Sequence, residues 1–315
     1  FMLTYYLSNK FVKGDKNMKI SVLTPTYNRA NLLDKLYVSI KKNCENCSNM
    51  QIEWLVMDDG STDNTKDVVK KYVGEKNLEV KYFYQRNQGK MKAINNLIEK
   101  STGDFILECD SDDYLTDNAC NIIDESIKKY GNIERIYALV FLKYTTTGQN
   151  MGNNFSKDGY RSKMYDLYFK EGITGEKALL YNASIRKQFQ YELENDENFV
   201  TEARMQHKMD MQYDIICINK PIMICEYKPD GYTKNIIKMF KQNPHGYFKY
   251  FKEIFQQNMK GTTLRKRIYI YKHYILFAVL TNEKHPIRQI KGMINKIIIA
   301  ILFIPGKVAS KIKNM

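Results

Sequence analysis

The amino-acid sequence predicts an α/β protein: a mostly parallel central sheet with helices on both faces, followed by a basic helical extension. Short apolar runs alternate with stretches at helical spacing through residues 18–142, and several of those runs close on acids. Cations crowd into the chain from Lys234 onward, which marks off the extension.

Lys19-Ile20-Ser21-Val22-Leu23 reads as the first strand and runs into Thr24-Pro25-Thr26-Tyr27-Asn28-Arg29. Leu32, Leu33, Leu36 and Ile40 recur at helical spacing and predict a helix over residues 32–42. A second strand, residues 52–57, closes on Asp58-Asp59. Behind Gly60-Ser61-Thr62-Asp63 a helix runs to about Tyr72, with Ser61 or Thr62 as its N-cap. Residues 80–84 read as a strand, and residues 90–100 as a helix with Met91, Ile94, Leu97 and Ile98 on its apolar face. Phe105-Ile106-Leu107 forms a fourth strand ending at Asp110-Ser111-Asp112-Asp113, where Asp113 or Thr116 is expected to cap a helix over residues 117–130. A strand over residues 136–142 completes a βαβα series, the pattern of parallel pairing.

Ligands of an open parallel sheet bind beyond the carboxyl ends of its strands, so two acidic strand ends can face one pocket. The acids at 110, 112 and 113 repel one another by on the order of a few kcal/mol unless water, a donor or a cation intervenes. A divalent metal bridging a diphosphate would relieve that repulsion. Neither the Gly-x-Gly-x-x-Gly turn of dinucleotide enzymes nor a phosphate loop ending in Gly-Lys-Ser/Thr is present. Thr24-Pro25-Thr26-Tyr27 stands in their place and suits a base held by Tyr27 stacking and main-chain groups.

Thr24-Pro25-Thr26-Tyr27-Asn28-Arg29, Asp58-Asp59-Gly60-Ser61-Thr62-Asp63, Asn87-Gln88-Gly89 and Asp110-Ser111-Asp112-Asp113 occur in this order across about ninety residues. In that order they resemble the motifs of family 2 glycosyltransferases, nucleotide-sugar enzymes of the GT-A fold. The resemblance implies a donor site of Thr24, Pro25, Tyr27, Arg29, Asp58, Asp59, Asn87, Gly89, Lys90, Lys92, Asp110 and Ser111. It implies a divalent metal, Mn2+ or Mg2+, at Asp112 and Asp110, and a UDP-sugar as donor. The usual Ala-Arg-Asn after the third motif reads Ala93-Ile94-Asn95 here, so Lys90 and Lys92 are the cations at that helix start, where the dipole also favours phosphate. This spelling is similar to a bacterial cell-envelope subgroup.

Lys143 to Tyr160 is polar and glycine-punctuated and is expected to be a mobile loop. A strand pair follows around residues 215–218 and 222–225. Inverting transfer needs a carboxylate to take the proton of the acceptor hydroxyl. The family's usual Glu-Asp pair is absent, and Glu202, opening an apparent helix over residues 201–211, is the positional match. Glu176, Asp196 and Glu197 are rivals, of which Glu176, with Asp230 of the Tyr-x-x-Asp-Gly-x-Thr segment, is assigned to the acceptor. His207 could add a metal or phosphate contact, though a helix-face histidine is more often neither.

The resemblance thus implies sugar transfer to a glycan or lipid-linked acceptor in cell-envelope or capsule polysaccharide synthesis. Nucleotidyl transfer, or a degenerate sugar-nucleotide-binding protein, is the alternative. The division expected is an extension at 1–17, the catalytic domain at 18–235 and an amphipathic region at 236–315. From Lys234 onward the chain carries seventeen Lys and Arg against only Glu253 and Glu283, while the body before it is near neutral. Such asymmetry points to an anionic membrane surface rather than nucleic acid. The apolar run at 297–304 is far shorter than the ~20 residues a spanning helix needs. Six cysteines without a small-domain framework, and no evident signal peptide, place the chain in the cytoplasm, peripheral at the inner face of the membrane.

Overall fold

A computed structural model describes residues 18–74, 76, 78–194, 197–226 and 236–302. The expected extension at 1–17, Asp196 and Asp230 lie outside the described residues. In β1 (Met18–Thr26) and β2 (Met50–Asp58) nearly every side chain is buried, the mark of strands covered on both faces. With β3 (Glu79–Tyr84) and β4 (Phe105–Glu108) they make a parallel group in the order β3-β2-β1-β4. The crossovers are α1 (Ala30–Asn46), α2 (Thr65–Lys70) and α3 (Lys90–Lys100).

The later elements are β5 (Asp113–Leu115), α4 (Ala119–Tyr130), β6 (Ile136–Thr145), β7 (Tyr160–Ser162), α5 (Met164–Phe169), β8 (Lys177–Asn182), α6 (Ala183–Arg186), α7 (Glu202–Asp210) and β9 (Asp214–Cys225). They extend the sheet to β3-β2-β1-β4-β8-β6-β9-β5, with β7 paired to β9. β8 runs antiparallel between β4 and β6, whereas β6 and β9 pair in parallel. The tail folds as α8 (Ile236–Gln242), α9 (Pro244–Ile254), α10 (Leu264–Leu280), a 3₁₀ turn and α11 (Met293–Leu302).

Strand alternation splits the interior in two. Val22, Trp54, Val56 and Leu107 share one core with Leu33, Leu36 and Ile40 of α1, Val69 of α2 and Ile123 of α4. Leu23, Leu55, Met57 and Ile106 face the other way, onto Met91, Ile94 and Leu97 of α3 and onto α5, α7 and the tail. Each face is covered because each strand carries apolar groups on both sides.

Several expectations need correcting. Lys143 to Thr145 continue β6 and Tyr160 opens β7, so the segment between is not a free loop. Met151 and Phe155 are buried, and Gly159 N donates to Cys217 O at 2.7 Å. Glycines and asparagines marked its turns correctly, but two isolated apolar residues pin it down. The strand pair at 215–225 is one strand, irregular where β6 shifts register near Pro221. Neither Ser61 nor Thr62 caps α2, whose N-cap is Asn64, and α4 starts from Asn118 without a side-chain cap. Asp113 is no cap either: it is buried and paired with Lys143.

The tail is helical, but most of it is not a free amphipathic surface. Phe248, Phe251 and Ile254 of α9, and Tyr274 and Phe277 of α10, are buried in the same core as α7. α11 presents a largely exposed apolar face, through Met293, Ile294, Ile297 and Ile301.

Candidate active site

The C-terminal ends of β1, β2 and β4 open on one cleft of about 890 Å³. Asp58 and Asp59 close β2, and their carboxylates organise the rim. Ser61 N and Tyr82 Oη each donate to Asp58 at 2.7 Å. Asp59 accepts from Gln85 Nε2 at 2.7 Å and from Gln88 N and Gly89 N at 2.8 Å. Two glycines make this packing possible. A Cβ on Gly60 (φ +85°) would stand 2.8 Å from Asn87 N, and one on Gly89 (φ +90°) would stand 2.4 Å from Asn198 O. The loop that starts α3 therefore touches the segment leading into α7.

That contact brings a cation between two acids. Lys90 Nζ, on the first residue of α3, lies 2.8 Å from Asp110 Oδ2 and 3.3 Å from Glu202 Oε1, at the start of α7. Arg29 Nη1 pairs with Asp112 Oδ2 at 2.7 Å. Lys143 Nζ, at the end of β6, is 2.7 Å from Asp113 and 3.4 Å from Glu176. Desolvation works against the Asp110 charge, yet Lys90, Lys143 and Arg29 hold its carboxyl below the ordinary range. Desolvation and the neighbouring charges of Asp110 and Asp113 raise Asp112 in spite of Arg29. Burial disfavours the Lys143 cation, but Asp113, Glu176 and Asp110 keep it well above its usual value.

The donor set fits a hard divalent cation. Among the described residues no cluster of three His, Cys, Asp or Glu forms a protein-only cage. Asp110 and Asp112 would supply carboxylates, leaving other positions to phosphate oxygens and water, the pattern of Mg2+ or Mn2+ bound through one or two acids plus substrate phosphate.

Of the expected residues, Pro25, Tyr27, Arg29, Asp59, Asn87, Gly89, Lys90, Asp110, Ser111, Asp112, Glu176 and Glu202 line the cleft. Three do not. Thr24 is buried, accepting from Trp54 Nε1 at 2.9 Å; Asp58 is locked under the rim; Lys92 points to solvent. Those positions were assigned by motif, and a motif includes residues that shape a loop as well as residues that face a ligand. Glu197 accepts from His245 N and Gly246 N at the start of α9. Its carboxylate is thereby committed to a helix terminus. His207 is buried among Tyr165, Phe169 and Tyr250.

Lys143, Lys177, Tyr168, Phe169, Tyr250, Lys266 and Tyr269 also line the cleft and were not foreseen. Lys143 had a signal, since it closes an apolar run just as the acids do. The aromatic residues and Lys266 had none in local spacing.

Residues 21–187, more than half of the chain, match the sequence profile of Glycosyl transferase family 2. The chain belongs to that family. This family 2 member is 37% identical over 131 residues to an uncharacterized glycosyltransferase of Mycoplasma genitalium. It is 36% identical over 112 residues to the poly(ribitol-phosphate) beta-N-acetylglucosaminyltransferase TarS of Staphylococcus aureus. It is 30% identical over 184 residues to a GalNAc(5)-diNAcBac-PP-undecaprenol beta-1,3-glucosyltransferase of Campylobacter jejuni. The three matches cover 40%, 34% and 54% of this chain, and only 42%, 19% and 56% of those relatives.

Among solved structures, a TarS fragment in complex with UDP-GlcNAc matches with a TM-score of 0.55 at 19% identity, over 87% of this chain and 76% of that one. The mannosyltransferase PcManGT from Pyrobaculum calidifontis, in complex with GDP-Man and Mn2+, matches with a TM-score of 0.53 at 15% identity, over 99% and 91%. At such identities the likeness concerns the fold: GT-A-like, mostly parallel, with C-terminal helices.

Proposed function

We propose that this family 2 chain is a metal-dependent inverting glycosyltransferase that moves a sugar from a UDP-sugar to a hydroxyl of a glycan or lipid-linked acceptor in cell-envelope polysaccharide synthesis. One observation carries the reading: Lys90 stands between Asp110 and Glu202 in a cleft that also holds Asp112 and Arg29. Glycosyl transfer sets two tasks, neutralising a departing diphosphate and removing a proton from the attacking hydroxyl. Lys90 and Arg29 are placed for the first. Glu202, partly exposed and held by a side-chain cation rather than by backbone amides, is suited to the second. When bound, a divalent cation at Asp110 and Asp112 supplies Lewis-acid stabilisation of the leaving group. Tyr27, 48% exposed at the rim, offers a face to the base, and Glu176, which lines the cleft, is assigned to the acceptor. The UDP-GlcNAc in the TarS complex supports a uridine donor, and the family match favours sugar transfer over nucleotidyl transfer.

The test is a screen of UDP-sugars with Mn2+ for UDP release. One donor is expected to turn over; release from none, with no UDP binding, would overturn the reading.

The proposal includes a peripheral seat on the inner face of the membrane. No described helix is long and apolar enough to cross a membrane, but the exposed apolar face of α11 lies beside Lys291 and Lys296. Lysines there gain up to ~1 kcal/mol each near anionic lipid. Deleting the residues after Arg288 is expected to release the protein from anionic vesicles with donor hydrolysis retained; unchanged pelleting would remove α11 from this role.

A further inference from the structure

The cleft continues past the carboxylates into a part that donor chemistry leaves unused, and the tail helps to wall it. Tyr250 of α9, with Lys266 and Tyr269 of α10, lines the same cavity as Asp110 and Glu202, together with Phe169 of α5 and His207 of α7. Lys266 Nζ lies 5.6 Å from the Phe169 ring centre, and among the described residues no carboxylate pairs with it. It belongs to Arg265-Lys266-Arg267 in the first turn of a 17-residue helix that has no acid there. Cations at the positive end of a helix dipole repel that end and one another, and a bound anion relieves both effects. Arg267 is turned back onto the Met259 and Thr262 carbonyls, which leaves Lys266 to face the cleft.

A second, independent feature points to a ligand. His207 is 4% exposed, borders the cleft, and its Nδ1 is buried with no hydrogen-bond partner among the described residues. Burial pushes its imidazole down to about 3, so the ring stays neutral and keeps one acceptor nitrogen. An orphaned buried polar atom is destabilising unless a partner reaches it. Aromatic faces suit the C–H side of a sugar ring, the neutral nitrogen suits a hydroxyl, and an unpaired ammonium suits a phosphate oxygen.

We propose that this part of the cleft is a subsite for an acceptor sugar that carries a phosphate. The ring packs against Phe169, Tyr250 and Tyr269, and the phosphate sits at Lys266 and the start of α10. The assignment rests on the donor site proposed for the other part of the cleft.

The experiment uses the full chain saturated with UDP, which occupies the donor end, and titrates glucose 1-phosphate and methyl glucoside by calorimetry. Glucose 1-phosphate is expected to bind roughly 10-fold tighter than methyl glucoside, the scale of a charge-assisted contact. Lys266→Met should abolish that preference and Lys266→Arg should keep it, while Tyr269→Ala weakens both sugars together. An unchanged preference in Lys266→Met overturns the subsite, and so does an equal loss for the two sugars, which marks a structural effect. If UDP itself fails to bind, the donor reading is what has failed; the same titrations without UDP still decide whether Lys266 selects phosphate. An octyl ester of glucose 1-phosphate that binds tighter than the free phosphate supports the subsite with a lipid carrier as its source. Equal binding supports it with a polymer phosphate.

Discussion

At the end of the cleft assigned to the donor the carboxylates are tied by short polar contacts to backbone amides and side chains of the loops and strands around them. Asp58 is held by Ser61 and Tyr82, Asp59 by Gln85, Gln88 and Gly89, and Asp113 by Lys143. At the outer end the groups come from α5, α7, α9 and α10 and meet through rings: His207 lies 5.6 Å from Tyr250, and Phe169 5.9 Å from His207. One end is therefore organised by local hydrogen bonding and charge, the other by packing between distant segments. Damage at the first should strike chemistry or leave a buried charge bare; damage at the second should act through burial.

Asp112→Ala sets the largest expected effect, a loss of ~10³-fold or more in Mn2+-dependent UDP-sugar turnover by a folded protein. Retained turnover would move the metal role elsewhere. Lys143→Met leaves Asp113 buried without its cation and is expected to lower stability by about 3–5 kcal/mol in urea unfolding. Adding Asp113→Asn should restore most of that, and a single variant as stable as the parent would refute the pair's importance. Glu202→Gln is expected to keep UDP-sugar binding while transfer falls by at least ~100-fold. A small loss would hand the proton to Glu176.

The outer end gives the smallest effect, and it depends on pH. His207 has a folded-state pKa pushed down by burial to about 3, so the unfolded chain takes up a proton below its own value near ~6.5 while the folded chain does not. The neutral ring's contribution is complete above that value and is lost as pH falls toward 3. Between pH 7 and pH 5 the parent should lose about 2 kcal/mol more stability than His207→Phe. Parallel pH profiles would contradict a neutral buried ring.

The same contrast explains what could be read from the residues alone. β1 to β4 and α1 to α4 were legible because their burial is a matter of local period, and the acids closing β2 and β4 announced the cleft edge. Which cation faces which acid was not legible: Arg29 with Asp112, and Lys90 between Asp110 and Glu202, depend on how loops meet. Lys177 needed a strand direction. It opens β8, and because β8 is antiparallel its start lies beside the end of β6. Tyr250, Lys266 and Tyr269 sat in a stretch whose charge read as a membrane surface, and only the packing of α9 against α7 turns that stretch toward the cleft.

The placement of β8 also sets a schedule for synthesis. β4 and β5 flank Asp110, yet β8, the second partner of β4, and β9, the partner of β5, leave the ribosome about seventy and about a hundred and ten residues later. At typical elongation rates the acidic loop waits on the order of ten seconds before both flanks are paired. Arg29 and Lys90 precede the loop and Lys143 follows about thirty residues later, so its cations are made well before the strands that close its flanks. Stalled nascent chains should accordingly remain protease-sensitive at the Asp110 loop until β9 has emerged, and early protection there would contradict the order of assembly.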